Sequence, residues 1–187
     1  MVRYVVEGVT FTTPGVMVLA LRAEDALTSL LFLPGQYAAI NFYRGKRPTA
    51  VRCFSLASDP NTPDVLQFGI RVGGKYTSQL SKVQPGEIVE LRGPYGGFVL
   101  NRSRQKSVVF LAGGIGITPF LSMIRHATST QDDTAIKLLF SVRTQNDISF
   151  QAELEELAVK NPNFELCYVV SDGATDALYT SPIYTGF

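Results

Sequence analysis

Four residues between positions 113 and 118 have the types and spacing expected of a phosphate-binding site. Gly113, Gly114 and Gly116 remove the side chains that would keep a ligand away from the backbone. Thr118 is a good helix N-cap, and Pro119 fits the first helical position, where its missing N–H costs nothing. Free backbone N–H groups and the positive end of a helix dipole then meet at one point, which suits a phosphate. A glycine turn that joins a strand to a helix without binding a ligand is the alternative.

The segment before these glycines predicts a buried strand. Residues 108–111 are apolar without interruption, as in a parallel strand that is covered on both faces. The whole unit is therefore predicted to be strand, glycine loop and helix. Its pattern, G-G-x-G-x-T-P, is neither a Walker loop nor the usual G-x-G-x-x-G fingerprint, so neither motif is assigned.

A second set of candidate residues lies on a predicted strand at residues 51–57. Side chains alternate along a strand, so Arg52 and Phe54 point to one face while Cys53 and Ser55 point to the other. A guanidinium can pair with a phosphate, and an aromatic ring can stack on a flat heterocycle. A half-buried arginine beside a core phenylalanine is the alternative interpretation.

A third candidate site follows some twenty residues later. Residues 73–80 contain a glycine pair that leads into a short helix, and Gly74 and Thr77 lie where that helix begins. Backbone N–H groups and a hydroxyl at such a point can bind an anion. A hairpin turn with a capped helix is the alternative. Two anion sites in separate parts of the chain predict two phosphate-bearing ligands.

Composition excludes several classes of function. The 187-residue chain has a net charge of +1, with no basic run and no acidic tail, which argues against nucleic-acid and anionic-membrane partners. No apolar run is long enough to span a bilayer, and the N-terminus does not resemble a signal peptide, which predicts a cytoplasmic protein.

Cys53 and Cys167 are predicted to be reduced core thiols, and His126 to be solvated near a helix end. These residues are too few for an iron–sulfur cluster or a structural zinc site, so we predict no metal.

The first hundred residues predict a small antiparallel β-barrel. Short β-rich runs are separated by turn residues, without long helices between them, which is typical of such barrels. One short helix is predicted at residues 77–82. The six predicted strands are residues 4–10, 16–22, 36–42, 51–57, 66–72 and 87–91.

The remaining residues predict an α/β domain with a parallel sheet. Strands and helices alternate, which requires crossover connections. A change of pattern between residues 102 and 106 predicts two domains, residues 1–102 and 103–187. The acidic residues Glu153, Glu155 and Glu156 are predicted to form a solvated helix face. The predicted elements are strands 108–111, 136–141 and 164–170 and helices 119–128 and 149–160.

Taken together, these segments resemble the motifs of the ferredoxin–NADP reductase superfamily, in the same order. Residues 52–55 resemble its R-x-[YF]-S flavin motif, and residues 71–77 resemble its G-x-x-[ST] flavin-phosphate turn. Residues 93–98 resemble the turn G-P-[YF]-G-x-F, and residues 113–119 match its nicotinamide-nucleotide turn G-G-x-G-x-T-P closely. Residues 141–154 resemble the strand–helix unit that follows. The resemblance covers nearly the whole chain.

The resemblance implies a flavoprotein that passes electrons between NAD(P)H and a one-electron carrier. The implied cofactor is FAD, with FMN as a possibility, and the nicotinamide nucleotide is a co-substrate. Two cysteines cannot supply an iron–sulfur cluster, so the carrier is a separate ferredoxin, flavodoxin or oxygenase component. A non-catalytic electron-transfer or interaction subunit with the same fold is the alternative.

The flavin-site roles that the resemblance implies fall on residues 52–55 and 74–77. By resemblance, Arg52 binds the flavin phosphate, and Phe54 stacks on the isoalloxazine where many relatives have tyrosine. Ser55 forms a hydrogen bond near flavin N5, where hydride arrives, and is therefore a catalytic candidate. Gly74 and Thr77 cradle the flavin pyrophosphate.

The nucleotide-site roles fall on the glycine loop and the next strand end. By resemblance, Gly113, Gly114, Gly116 and Thr118 bind the pyrophosphate of the nicotinamide dinucleotide. Thr118 also helps to seat the nicotinamide and is the second catalytic candidate. Arg143 is expected near the adenine ribose.

The sequence departs from the family pattern at its C-terminus. It stops at residue 187, before the helix, Cys-Gly-Pro strand and final aromatic strand of the family, so about three parallel strands are expected. The first of these strands is internal in the family, and here its apolar edge would be bare. A truncated sequence, an oligomer or partner that covers the edge, and a module without efficient hydride transfer are the three explanations.

Overall fold

The chain folds into an antiparallel β-barrel followed by a parallel sheet with helices, as the sequence predicts. The computed structural model describes residues 2–62, 64–100 and 105–172 and the backbone of residues 183–185. The first region contains a 3-10 turn, Ala26–Thr28, and helix α1, Lys75–Leu80. Its strands are β1 (Val2–Thr13), β2 (Val16–Ala23), β3 (Tyr37–Arg44), β4 (Arg47–Pro48), β5 (Arg52–Ser55), β6 (Val65–Arg71) and β7 (Ile88–Tyr95).

The sheet of the first region closes on itself. Its strand order is β4-β3-β7-β1-β2-β6, and β5 pairs with β3. The N–H of Ala57, just after β5, donates to the carbonyl of Gln67 in β6 at 2.8 Å, which joins the two ends of the sheet. The two-residue β4 was not predicted, because so short a hairpin arm has no alternating pattern. Alternation along β2 buries Met17, Leu19 and Leu21 inside the barrel.

The second region is a sheet of parallel strands with helices on one face. Its order is β11-β10-β9-β8, which adds one short strand to the three that the sequence predicts. Two 3-10 turns precede the helices, at Gly114–Ile117 and Gln145–Asp147. No helix among the described residues has the length and apolar character needed to cross a membrane. The elements are β8 (Ser107–Gly113), α2 (Thr118–Ser129), β9 (Ala135–Val142), α3 (Gln151–Lys160), β10 (Phe164–Val170) and β11 (Ile183–Thr185).

Strand β8 lies at the edge of the described sheet and is covered on one face only. Phe110 and Ala112 are buried against the helices, whereas Val109 is 59% exposed and Leu111 is 72% exposed. The prediction of a strand covered on both faces is therefore wrong for the described residues. An apolar run specifies a strand, but it does not specify which elements will cover it.

Two local predictions also differ from the structure. Helix α2 begins at Thr118, so the N-cap is Ile117, and the Thr118 hydroxyl donates back to the carbonyl of Ile115 at 3.2 Å. Cys53 is exposed, because its face of β5 is open to solvent, whereas Cys167 is buried as predicted. The predicted domain boundary falls mainly on residues 101–104, which lie outside the described residues.

Candidate functional site

Tyr76 brings together the predicted sites at residues 51–57 and 73–80. The guanidinium carbon of Arg52 lies 5.7 Å from the centre of the Tyr76 ring, and the Phe54 ring stacks on it at 6.2 Å with a 26° interplanar angle. The Tyr76 hydroxyl donates to the carbonyl of Ile40 at 2.7 Å, which fixes the ring against β3. Burial is the main cause that raises the Tyr76 pKa to about 12, so this hydroxyl remains protonated at neutral pH. Strand β5 therefore packs against helix α1 through Tyr76.

The turn before α1 is closed by its own hydroxyl. The N–H groups of Gly73 and Gly74 donate to Thr77 Oγ1 at 3.1 and 3.2 Å. Neither glycine has another atom within 4 Å of the position that a Cβ would take, so the backbone is open to a ligand. The predicted residues Gly74 and Thr77 are thus adjacent, and their polar groups bond to each other.

Ser55 ends β5 and lies opposite Tyr37 in the register with β3. Its side chain is half-buried, and within the described residues its hydroxyl has no hydrogen-bond partner. The N–H of the next residue, Leu56, is held by the carbonyl of Gln36 at 3.0 Å. The strand end is therefore fixed while the Ser55 hydroxyl remains available to a ligand.

The glycine loop faces the end of strand β6. Gly114 has a φ of +49°, a conformation that favours glycine, and a Cβ at this residue would lie 3.5 Å from Arg71 Nη2. Gly113 and Gly116 have nothing within 4 Å of the same position. Arg71 was not a predicted site residue, although it ends β6 just before the glycine pair that precedes α1.

An open cleft of about 700 Å³ adjoins this loop and contains the predicted residue Arg143. Arg143 Nε lies 3.2 Å from Asp172 Oδ2 on the next strand end. Asp147 accepts hydrogen bonds from the Thr144 hydroxyl at 2.7 Å and the Thr144 N–H at 3.0 Å, and these bonds lower the pKa of its carboxyl. The cleft is lined by Arg71, Gly114, Ser141, Val142, Arg143, Thr144, Asp147, Ser171 and Asp172.

One face of helix α2 is bonded to the segment that follows β5. Ser122 Oγ donates to the carbonyl of Ser58 at 2.6 Å, and Arg125 Nη1 donates to the carbonyl of Ala57 at 2.7 Å. The other Arg125 nitrogens hold both carboxylate oxygens of Glu153, at 2.6 and 2.8 Å. The prediction that Glu153 belongs to a solvated helix face is therefore wrong, because Glu153 is half-buried in this ion pair.

His126 continues this contact. Its side chain is only 14% exposed, and Nδ1 lies 3.0 Å from Asp59 Oδ1. The prediction of a solvated histidine is wrong because α2 lies against the barrel at this point. Asn61 Nδ2 donates to Ser129 Oγ at 3.1 Å, one turn further along the same face. The helix that begins in the glycine loop is thus bonded to the segment that leaves the Arg52–Ser55 strand.

Comparison with known protein families agrees with this architecture. Residues 4–100 match the family model described as the oxidoreductase FAD-binding domain, and residues 110–182 match the oxidoreductase NAD-binding domain. The chain belongs to the ferredoxin–NADP reductase superfamily and carries both of these domains.

Relatives and solved structures show how much of the chain this similarity covers. The chain is 32% identical over 146 residues to the reductase component of propane 2-monooxygenase from Mycolicibacterium goodii, covering 76% of this chain and 41% of that protein. It is 31% identical over 170 residues to the anthranilate 1,2-dioxygenase electron transfer component of Acinetobacter baylyi, covering 89% and 48%. A ferredoxin NADP+ reductase from Neisseria gonorrhoeae with bound FAD and NADP shares the fold, with a TM-score of 0.81, 24% identity and coverage of 99% and 72%. The chain thus spans about half the length of these two relatives.

The donors at the two sites fit the two cofactors. A cation beside two aromatic rings suits a flavin nucleotide, which combines phosphate with a flat ring system. A positive-φ glycine that faces Arg71, next to a cleft that contains Arg143, suits a nicotinamide dinucleotide. Sequence reasoning missed Tyr76 and Arg71 because their roles depend on contacts between distant segments.

Proposed function

We propose that this chain transfers a hydride from NAD(P)H to FAD and passes single electrons to a separate carrier protein. Residues 1–102 would bind the flavin, and residues 103–187 would bind the nucleotide. The observation that carries the proposal is that Arg71, the last residue of β6, lies beside Gly114 of the glycine loop. Strand β6 also leads directly into the Gly74–Thr77 turn. One strand thus connects both cofactor sites. The names of the relatives, a reductase component and an electron transfer component, support the same activity.

The flavin would be held by charge, stacking and backbone contacts. Arg52 would pair with its phosphate, and Phe54, supported by Tyr76, would stack on the isoalloxazine. Ser55 would donate a hydrogen bond near N5, since its hydroxyl is otherwise unbonded within the described residues. Thr77 and the Gly74 N–H would turn from each other toward the pyrophosphate.

The nucleotide would lie between the glycine loop and the cleft. Gly113, Gly114 and Gly116 would expose N–H groups to its pyrophosphate, and Thr118 would seat the nicotinamide. Arg143 would contact the adenine ribose from the cleft wall. When bound, FAD supplies the ability to accept a hydride and to release electrons one at a time. The protein contributes orientation, and no acid–base group is required.

Unpaired cations near the flavin site support a carrier with an acidic surface. Seven exposed cations of the barrel region make no ion pair with a described carboxylate, namely Arg44, Lys46, Arg47, Arg52, Arg71, Lys75 and Lys82. Six other surface cations, two of them in the barrel region, are paired with carboxylates, namely Arg3, Arg22, Lys106, Lys137, Arg143 and Lys160. Arg44 and Lys82 line one cleft, so these two unpaired charges are close together. Such a patch attracts anionic partners by long-range electrostatics.

Salt dependence tests the proposed carrier. Reduction of an acidic ferredoxin by the flavin-loaded chain should slow several-fold as ionic strength rises from about 0.02 to 0.2 M, because salt screens the attraction. The double variant Arg44→Glu, Arg47→Glu should show the same loss at low salt, whereas the control Lys160→Glu on helix α3 should not. A rate that is insensitive to salt and to both variants would contradict an acidic carrier.

An anaerobic titration tests the activity itself. NADH and then NADPH are added to the flavin-loaded chain while the visible absorption band of the flavin is recorded. Bleaching by either nucleotide supports the reductase and identifies the donor. A band that only dithionite bleaches would support the alternative, a flavin-binding electron-transfer subunit.

A further inference from the structure

Gly69 lies in the middle of β6, where Thr118 and Phe150 of the nucleotide domain lie close to the barrel. A Cβ placed on Gly69 would lie 2.6 Å from Thr118 Cγ2 and 2.9 Å from Phe150 Cζ. Ordinary contacts between carbon atoms are about 3.5–4.0 Å, so each gap is short by about 1 Å. A side chain at this position therefore requires the two domains to move apart or their side chains to rearrange.

The backbone of Gly69 does not require a glycine. Its φ lies outside the left-handed region, and Gly69 pairs with Val18 in a regular ladder between β2 and β6. A glycine inside a strand is unfavourable and often marks a place where another chain segment approaches closely. The reason for glycine here is therefore space.

The two groups that approach Gly69 are both held in place. Thr118 is buried, its β-branched side chain has few rotamers, and its hydroxyl donates to Ile115. Phe150 is also buried and has a φ of +60°, a left-handed conformation that is strained for a bulky residue. Such strain persists only where the surrounding structure imposes it. Neither side chain can move away from a new methyl group without disturbing its surroundings.

Gly69 acts together with Arg71 on the same face of β6. Residues two apart on a strand share a face, and Arg71 meets Gly114 while Gly69 meets Thr118. Gly114 and Thr118 of the glycine loop therefore lie against two residues on the same face of β6, Arg71 and Gly69. The same strand continues into the Gly74 turn of the flavin site.

We propose that Gly69 is a positioning residue that sets how closely the Thr118 end of the glycine loop approaches the flavin domain. The expected effect on catalysis rests on the proposed function, whereas the effect on the distance between the two domains does not. Gly69 itself contacts no reacting atom.

The distance can be measured without any reaction. Spin labels are placed on cysteines introduced at the exposed residues Leu27 and Val159, one in each domain, with Cys53 changed to Ser. Pulsed electron resonance then gives the distribution of distances between the labels. Gly69→Ala should shift its maximum by about 1 Å or more, or broaden it, since each contact is short by about that amount. The control is Gly8→Ala, because Gly8 is also inside a strand but has nothing within 4 Å of its Cβ position.

A background with smaller partners separates the contact from a general effect on the strand. Thr118→Ser removes Cγ2 and keeps the hydroxyl, while Phe150→Leu removes the outer ring atoms. In this double variant Gly69→Ala should leave the distance distribution nearly unchanged. An unshifted distribution for Gly69→Ala in the native background, or an equal shift in both backgrounds, would overturn the proposal.

Flavin reduction shows the catalytic consequence. Because a displacement of about 1 Å can slow a reaction by about 100-fold, Gly69→Ala should slow flavin reduction by NAD(P)H about 10- to 100-fold while flavin content stays the same. In the Thr118→Ser, Phe150→Leu background, adding Gly69→Ala should slow flavin reduction by less than about threefold. If neither nucleotide reduces the flavin of the native chain, the proposed function fails, and the distance measurement alone decides the role of Gly69.

Discussion

Arg125 Nη1 donates a 2.7 Å hydrogen bond to the main-chain oxygen of Ala57, across 68 positions of the sequence. Ala57 follows Ser55 by two residues, and Arg125 lies on the helix that begins at Thr118. The same guanidinium holds the Glu153 carboxylate with two further hydrogen bonds. One side chain therefore ties the segment that follows β5 to helices α2 and α3.

Replacement of Arg125 should weaken this link. Arg125→Met leaves the Ala57 carbonyl and the Glu153 carboxylate without their donor, so the free energy of unfolding should fall by about 1.5–3 kcal/mol. Glu153→Gln is the matched variant, since it removes the ion pair and keeps the bond to Ala57. Urea unfolding should show a smaller loss for Glu153→Gln. Equal losses would mean that the bond to Ala57 contributes no stability.

Arg52 should control flavin retention. Arg52→Ala removes the proposed charge-assisted contact with the flavin phosphate, and the usual value of such a contact, about 1.5–3 kcal/mol, corresponds to about a 10- to 100-fold weaker flavin affinity. Arg47→Ala makes the same change of charge outside the proposed phosphate site, at an exposed position five residues away. Flavin content after dialysis should therefore fall for Arg52→Ala and remain high for Arg47→Ala. If both variants retain flavin equally, Arg52 is not a phosphate ligand.

Tyr76 should affect flavin binding through its ring more than through its hydroxyl. Tyr76→Phe keeps the surface on which Arg52 and Phe54 rest and loses the bond to Ile40, which costs about 0.5–1.5 kcal/mol of stability. Tyr76→Leu also removes the aromatic ring, so fluorescence titration should show a several-fold weaker flavin affinity than for Tyr76→Phe. Equal affinities for the two variants would show that the ring does not position Arg52.

The order and type of the elements could be predicted because each depends on residues close together in sequence. Apolar patterns and glycine turns located the strands, and G-G-x-G-x-T-P located the loop that ends at Thr118. Contacts between distant segments could not be predicted in the same way. The partner of His126 is Asp59, 67 positions earlier, and nothing near either residue indicates it.

Residue types alone could not predict two features, the exposure of strand β8 and the importance of Gly69. A run of apolar residues predicts strand β8, but the exposure of Leu111 depends on which elements lie beside it. A glycine such as Gly69 has no side chain to interpret, so its importance appears only from the atoms around it. The roles assigned to Ser55 and Arg143 come from motif resemblance and remain predictions.

The carboxyl of Asp147 should make stability depend on pH in the acid range. Hydrogen bonds from Thr144 lower its pKa below the ordinary 3.8, so the ionised form is favoured by folding. This stabilisation is present above pH 3.8 and is lost as the pH falls through the lowered pKa. Asp147→Asn keeps the side-chain shape without the charge, so the native chain should be the more stable at pH 7 and about pH 5, with a difference that shrinks toward pH 3. Urea unfolding at these three pH values measures the difference, and a constant difference would show that the charge of Asp147 does not stabilise the wall of the cleft.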